Sequence, residues 1–199
     1  MNIVLRNSDN LVMWCGNDLS IDASGVHGTG WIYPQLNSTT ATLVQNVTLP
    51  NPYVANVYSY SAGVFTIANQ TALTTWNTAT LPSTQTSQIA TTIAAYLVAN
   101  TTIVSYTSKG GVTKTFQADK DAVNNIQGCL AGFSSTSITP TGFYWVASDN
   151  TQVIFTFADL QLLAEVMILQ SWTNFQKLQT LKSTITSATT VTAVQAVVW

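Results

Sequence analysis

The spacing of apolar residues changes several times along the chain, and each change marks an element. Ile3-Val4-Leu5 and Leu11-Val12-Met13-Trp14 flank Asn7-Ser8-Asp9-Asn10, a segment of turn composition, so a β-hairpin is predicted to open the fold. Further strands are predicted at residues 42–44, 54–60 and 64–67, the last two joined around Ser61-Ala62-Gly63. Leu49-Pro50-Asn51-Pro52 reads as a rigid connector, because each proline fixes its own φ and holds its predecessor extended. From about residue 86 to 99 the period becomes helical, with Ile89, Ile93, Tyr96 and Leu97 on one face. Residues 102–106 and 112–116 then flank Ser108-Lys109-Gly110-Gly111, a hairpin signal because both glycines tolerate positive φ.

Asp119 is placed to cap a short helix carrying Val123, Ile126, Leu130 and Phe133, with Gly132 and Ser134-Ser135 ending it. Phe143-Tyr144-Trp145-Val146 and Val153-Ile154-Phe155, separated by Ser148-Asp149-Asn150-Thr151, predict a second antiparallel ribbon. Thr156 and Asp159 form a capping-box pattern directly before Leu160, Leu162, Leu163, Val166 and Met167, which starts a long helix over about residues 158–183. At 1.5 Å per residue it would extend roughly 39 Å.

The fold class that follows is α+β. A small β-rich N-terminal module occupies residues 1–76, a polar linker containing Pro82 occupies 77–87, and a C-terminal module occupies 88–199 in the order helix, hairpin, helix, hairpin, long helix. Between Leu160 and Leu169 the long helix is apolar nearly all round. From Trp172 onward only a stripe persists, through Phe175, Leu178, Leu181 and Ile185. A helix apolar on every side must be covered on every side, by its own domain or by neighbouring copies. Leu160, Leu163, Met167, Trp172 and Phe175 are accordingly the candidate partner contacts.

Composition narrows the function. Charged residues are only 7% of the 199, against a usual quarter, and threonine is about one residue in six, so solubility must come from uncharged polar groups. The six basic residues, Arg6, Lys109, Lys114, Lys120, Lys177 and Lys182, are scattered and form no patch that would neutralise several phosphates, which argues against nucleic acid. No apolar run reaches the ~18 residues of a membrane span, and no basic start followed by an apolar core suggests a signal peptide, so synthesis in the cytoplasm is expected. Low surface charge also leaves little to oppose self-association, which favours an oligomer or permanent incorporation in an assembly.

Residues that carry chemistry are few. His27 stands alone in Gly25-Val26-His27-Gly28-Thr29-Gly30, and Trp31-Ile32-Tyr33-Pro34 follows where a dinucleotide site would need a helix, so a Gly-rich turn is the better reading. Asp18 and Asp22, beside Ser20 and Ser24, match no calcium-loop spacing. No carboxylate pair, nucleophile elbow or metal-ligand spacing is present, and neither an enzyme activity nor a cofactor is expected. Cys15 and Cys129 read as two reduced thiols in apolar surroundings. Among the aromatic residues Trp31, Tyr33, Tyr53, Tyr58, Tyr60 and Trp76, two readings stand. They either fill the core of a small β-domain or form a platform on which a sugar stacks, with Trp31, Tyr33 and Tyr53 as the candidate receptor or sugar contacts.

Thr115-Phe116-Gln117-Ala118-Asp119, Phe143-Tyr144-Trp145 with Asp149-Asn150, Phe157-Ala158-Asp159-Leu160 through Phe175, and the ending Ile185-Thr186-Ser187-Ala188-Thr189-Thr190-Val191 form a pattern over roughly residues 101–199. It resembles a C-terminal domain of unknown function found in bacteriophage tail fibre and tail fibre assembly proteins. Ile3-Val4-Leu5-Arg6-Asn7, Val26-His27-Gly28-Thr29-Gly30-Trp31, Leu49-Pro50 and the stretch from Tyr58 to Phe65 are similar to the opening of small phage tail proteins. The resemblance implies a structural protein of the virion tail, a fibre or fibre-like appendage that serves virion assembly and host attachment. Its implied partners are further copies of itself, as a homotrimer, other tail proteins, and a host surface receptor or glycan. A tail fibre assembly chaperone absent from the finished particle, or a head or tail decoration protein, are the alternatives it leaves.

Overall fold

The computed structural model describes all residues, 1–199. Twelve strands and four helices follow in a mixed order: β1 Asn2–Arg6, β2 Leu11–Gly16, β3 Ser20–Asp22, β4 Gly25–Gly28, β5 Trp31–Tyr33, β6 Ala41–Val44, β7 Tyr58–Ser61 and β8 Val64–Ile67 precede the helix α1, Gln70–Ala99. After it come β9 Val104–Thr107, β10 Thr113–Phe116, α2 Lys120–Phe133, β11 Tyr144–Val146, β12 Gln152–Ile154, α3 Phe157–Ser187 and α4 Val191–Gln195. The α+β class holds, with strands first and then the alternation of helices and hairpins that the periodicity predicts. The chain divides into two compact units, residues 1–85 with 188–196, and residues 86–187 with 197–199.

In the first unit a five-stranded sheet of order β6-β1-β2-β7-β8 stands beside a three-stranded sheet, β3-β4-β5. β1 is apolar without alternation because it is buried on both faces. Ile3 and Leu5 pack with Val12 and Val47 on one side, while Val4 packs with Leu19, Val26, Leu36 and Ala41 on the other. Ala62 (φ 49) and Gly63 (φ 86) both lie in the left-handed region and close the β7–β8 hairpin.

Residues 77–87, expected as a linker, are instead the middle of α1, and the division between units falls inside that helix. Ser, Thr and Pro read as breakers because their hydroxyls compete for backbone groups and proline lacks an N–H. Here that competition is turned inward. The hydroxyls of Thr74, Thr78 and Thr84 donate to the carbonyls four residues earlier at 2.9, 2.9 and 3.0 Å, so they are satisfied without leaving the helix. Asn69 supplies the cap, its Oδ1 accepting from the Ala72 N–H at 3.0 Å. Two amides of the supposed linker hold the returning chain: Asn77 Oδ1 accepts the Val191 N–H at 3.0 Å, and Gln85 Nε2 donates to the Ala188 carbonyl at 3.2 Å.

The second unit is built on the hairpins β9–β10 and β11–β12, with α2 and the first third of α3 closing over one core. Phe116, Phe155, Ile126, Leu160 and Leu163 are fully enclosed there. Asp119 caps α2 as expected, accepting the Ala122 N–H at 2.8 Å. Of the two glycines at the β9–β10 turn, Gly111 takes the positive φ, 81°. α3 starts on the predicted capping box: the Thr156 N–H donates to Asp159 Oδ2 at 2.8 Å, and the Asp159 N–H donates to Thr156 Oγ1 at 3.2 Å.

Candidate functional site

Asp159 does more than cap. Its carboxylate is 1% exposed and also accepts the Tyr106 hydroxyl at 2.9 Å and the Lys109 N–H at 2.6 Å, from the β9–β10 hairpin fifty residues earlier. Burial pushes this carboxyl up, but the hydrogen bonds from Thr156, Lys109 and Tyr106 outweigh it and leave its pKa below the usual carboxylate value. The Tyr106 hydroxyl is correspondingly held above the ordinary phenol range, by burial first and then by Asp159. Every acceptor position is directed at the protein's own donors. The cluster is an anchor that ties hairpin to helix and offers no group to a substrate.

Beyond Met167 the surroundings of α3 change. Leu160, Leu163 and Met167, expected as partner contacts, lie inside the core at 3% exposure or less, covered by the unit's own hairpins and α2. That expectation is corrected for these three, which the unit's own elements cover, while Leu162 on the same stretch stays 41% exposed. Trp172 and Phe175 are different. They stack at 5.8 Å and remain 53% and 40% exposed, next to exposed Ile168 and Leu169. Gln170 Nε2 donates to the Thr102 carbonyl at 3.0 Å, and Asn174 Nδ2 donates to Asn100 Oδ1 at 2.9 Å, so this part of α3 is fixed against the end of α1. The result is an open groove of about 560 Å³, walled by Tyr96, Val123, Met167, Ile168, Trp172 and Phe175, with Lys120 as its one charged lining residue.

In the first unit the aromatic candidates separate. Trp31 and Tyr33, on β5, meet Trp14 of β2 at ring distances of 6.0 and 4.6 Å, and remain 40% and 36% exposed. Trp31 lies across Gly28, where an added Cβ would stand 2.4 Å from the indole. Tyr53 is elsewhere: it stacks on Tyr58 at 6.1 Å beside the core containing Ile3 and Val12. Its Oη is enclosed without a hydrogen-bond partner, and burial, followed by nearby Cys15, holds the phenol above its ordinary range. Tyr53 therefore serves the core reading, and Trp14, which the spacing did not single out, takes its place beside Trp31 and Tyr33. Trp14 lies in an apolar strand, Leu11–Gly16, so nothing in the spacing set it apart from the core.

His27 sits on β4 rather than in a turn. Its Nε2 lies 2.9 Å from Asp22 Oδ1 and 3.1 Å from Ser24 Oγ, while Ser24 Oγ donates to the same Asp22 oxygen at 2.6 Å. Serine and aspartate thus share one ring nitrogen. A nucleophilic triad needs them on opposite nitrogens, so these three residues close the β3–β4 turn and activate nothing. Ser24 and then His27 hold Asp22 well below the usual carboxylate range. Asp18 accepts the Thr29 N–H at 2.7 Å, which lowers its pKa as well. No three His, Cys, Asp or Glu side chains gather in a metal-holding group, and Cys15 and Cys129 are both free thiols. No helix is long and apolar enough to cross a membrane.

Set beside known families, the C-terminal half of this α+β chain matches one of them. Residues 100–198, which begin directly after α1, match a family described as a domain of unknown function, DUF4376. No curated protein and no solved structure matches the chain.

Proposed function

We propose that the protein is a non-enzymatic structural component of a bacteriophage tail, a fibre or fibre-like appendage, which self-associates and takes part in virion assembly and host attachment. The phage setting rests on the resemblance of residues 101–199 to a domain of tail fibre and tail fibre assembly proteins. Self-association rests on one observation: Ile168, Leu169, Trp172 and Phe175 form exposed apolar surface on a helix tied to its own unit through Gln170 and Asn174. Covering that surface with further copies removes it from water at about 25 cal/mol per Å². Three copies around α3 is the arrangement that fits the resemblance. The particle, and the bacterial cytoplasm before assembly, are the corresponding locations.

Light scattering after size exclusion gives the mass in solution. The expected result is a mass of three chains that falls to one in Trp172→Glu combined with Phe175→Lys. A wild-type monomer at all concentrations refutes self-association. The open groove on α3 also favours a second reading, an assembly chaperone that covers a fibre segment transiently. Mass spectrometry of purified virions separates the two, since a tail component is present in the particle and a chaperone is absent.

A further inference from the structure

The exposed ledge on the β4–β5 hairpin combines three features. The Trp31 indole rests on Gly28 with no side chain beneath it, which fixes the ring's orientation while 40% of the residue stays open. Tyr33 follows two residues later on the same strand, and Trp14 meets both rings, tilted 36° to Trp31 and 57° to Tyr33. At the turn that carries Trp31, the exposed carboxylate of Asp18 grips the Thr29 N–H through Oδ2. Arg6 pairs with Asp9 and Asp22 lies against His27, whereas Asp18 faces no basic side chain, and its pKa is below the usual carboxylate value. It is an ionised acceptor with lone pairs to spare.

We propose that this ledge binds a neutral pyranoside, stacking the apolar face of the sugar on Trp31 and Tyr33 while Asp18 accepts hydrogen bonds from its hydroxyl groups. A flat aromatic face beside a hydrogen-bond acceptor matches a pyranose, which carries C–H groups on its faces and hydroxyls around its rim. The other ligands of aromatic surfaces fit less well. A nucleotide would bring phosphate to a carboxylate with no free cation nearby. A quaternary ammonium group needs rings arranged around a gap, but Trp14 contacts Trp31 and Tyr33 directly at 6.0 and 4.6 Å, so these rings pack on one another. An apolar helix would desolvate Asp18 without offering it a donor. The proposal supplies the attachment role stated above with a ligand class and is tested on the isolated chain, so virion composition and sugar binding succeed or fail separately.

The test is titration of the labelled full-length chain with the methyl glycosides of glucose, galactose, mannose, rhamnose and N-acetylglucosamine, followed by the tryptophan indole N–H resonances. Expected is saturable movement of the Trp31 resonance with at least one glycoside. Ile32→Ala should leave the affinity unchanged, and Asp18→Asn should weaken it roughly tenfold or more, the loss of one charge-assisted hydrogen bond. Trp31→Ala should abolish binding, followed through the Trp14 resonance. So should Trp31→Leu, which keeps apolar cover on Gly28 and removes the flat face, guarding against simple loss of fold. Four results overturn the proposal: no movement with any glycoside, equal movement with glycerol, stronger binding of tetramethylammonium than of every glycoside, or binding that survives Trp31→Leu.

Discussion

Replacing Asp159 with alanine takes one acceptor from four donors at once: the Tyr106 hydroxyl, the Lys109 N–H, and the N–H and hydroxyl of Thr156. A hydrogen bond to a charged group contributes about 1.5–3 kcal/mol, and a buried donor left without a partner costs about 1–3 kcal/mol. The four do not add, because Thr156 can turn its hydroxyl elsewhere and water can reach the rim of the hairpin. Removing Asp159 leaves neutral donors and no stranded charge, so the figure to expect is about 2–5 kcal/mol, the cost of one or two buried donors left without a partner. Tyr106→Phe deletes a single donor and keeps the ring on Phe155, so about 1–2 kcal/mol is expected from it.

Acid dependence provides an independent check. The folded-state pKa of Asp159 lies below the unfolded value, so its contribution is complete above about pH 4 and is lost as pH falls through the folded pKa. Asp159→Asn keeps the volume, removes that dependence on the acid side, and places an amide donor against backbone donors. Native-state amide exchange at Ile126 and Leu163 reads the second unit alone. An Asp159→Ala loss below about 1 kcal/mol, or an Asp159→Asn variant with the wild-type acid profile, would refute the claim that this carboxylate anchors the hairpin to α3.

Three further outcomes follow from local geometry. Ala62 holds φ 49 in the β7–β8 turn, so Ala62→Gly is expected to raise the stability of the first unit by about 0.5–1 kcal/mol in urea unfolding, although it makes the unfolded chain more flexible. Asp119→Ala removes the cap of α2 and should cost about 1 kcal/mol, read as faster amide exchange in the first turn of α2. Gly28→Ala places a methyl group 2.4 Å from the Trp31 indole, so the ring must swing off the strand; a Trp31 resonance unmoved by the substitution would contradict the stacking described.

Local chemistry was legible because it depends only on neighbours in the chain. The caps at Asp119 and Thr156, both C-terminal hairpins, and the turns at Asn7–Asn10 and Ser61–Gly63 each need a short run of particular residues, and those runs are unambiguous. The helical state of residues 77–87 was not legible, because Thr and Ser serve a loop or a helix equally well until their hydroxyls find an acceptor. The same limit applied to the candidate sites. The ring of apolar residues on α3 could say that cover was needed, but not that the hairpins and α2 would cover Leu160, Leu163 and Met167 and leave Leu162, Trp172 and Phe175 open.

From its sequence alone, then, this protein acquires its opening hairpin, the β7–β8 hairpin and the order of its C-terminal hairpins and helices, but not the three-stranded sheet β3-β4-β5 or the first half of α1. Only the tertiary structure decides which aromatic residues share a surface, bringing Trp14 to Trp31 and Tyr33 while sending Tyr53 into a core. It alone also converts Asp159 from a helix cap into a buried anchor for Tyr106 and Lys109. The reason is the same in both cases: these contacts join positions far apart along the chain, and no periodicity or turn signal encodes which distant segments meet.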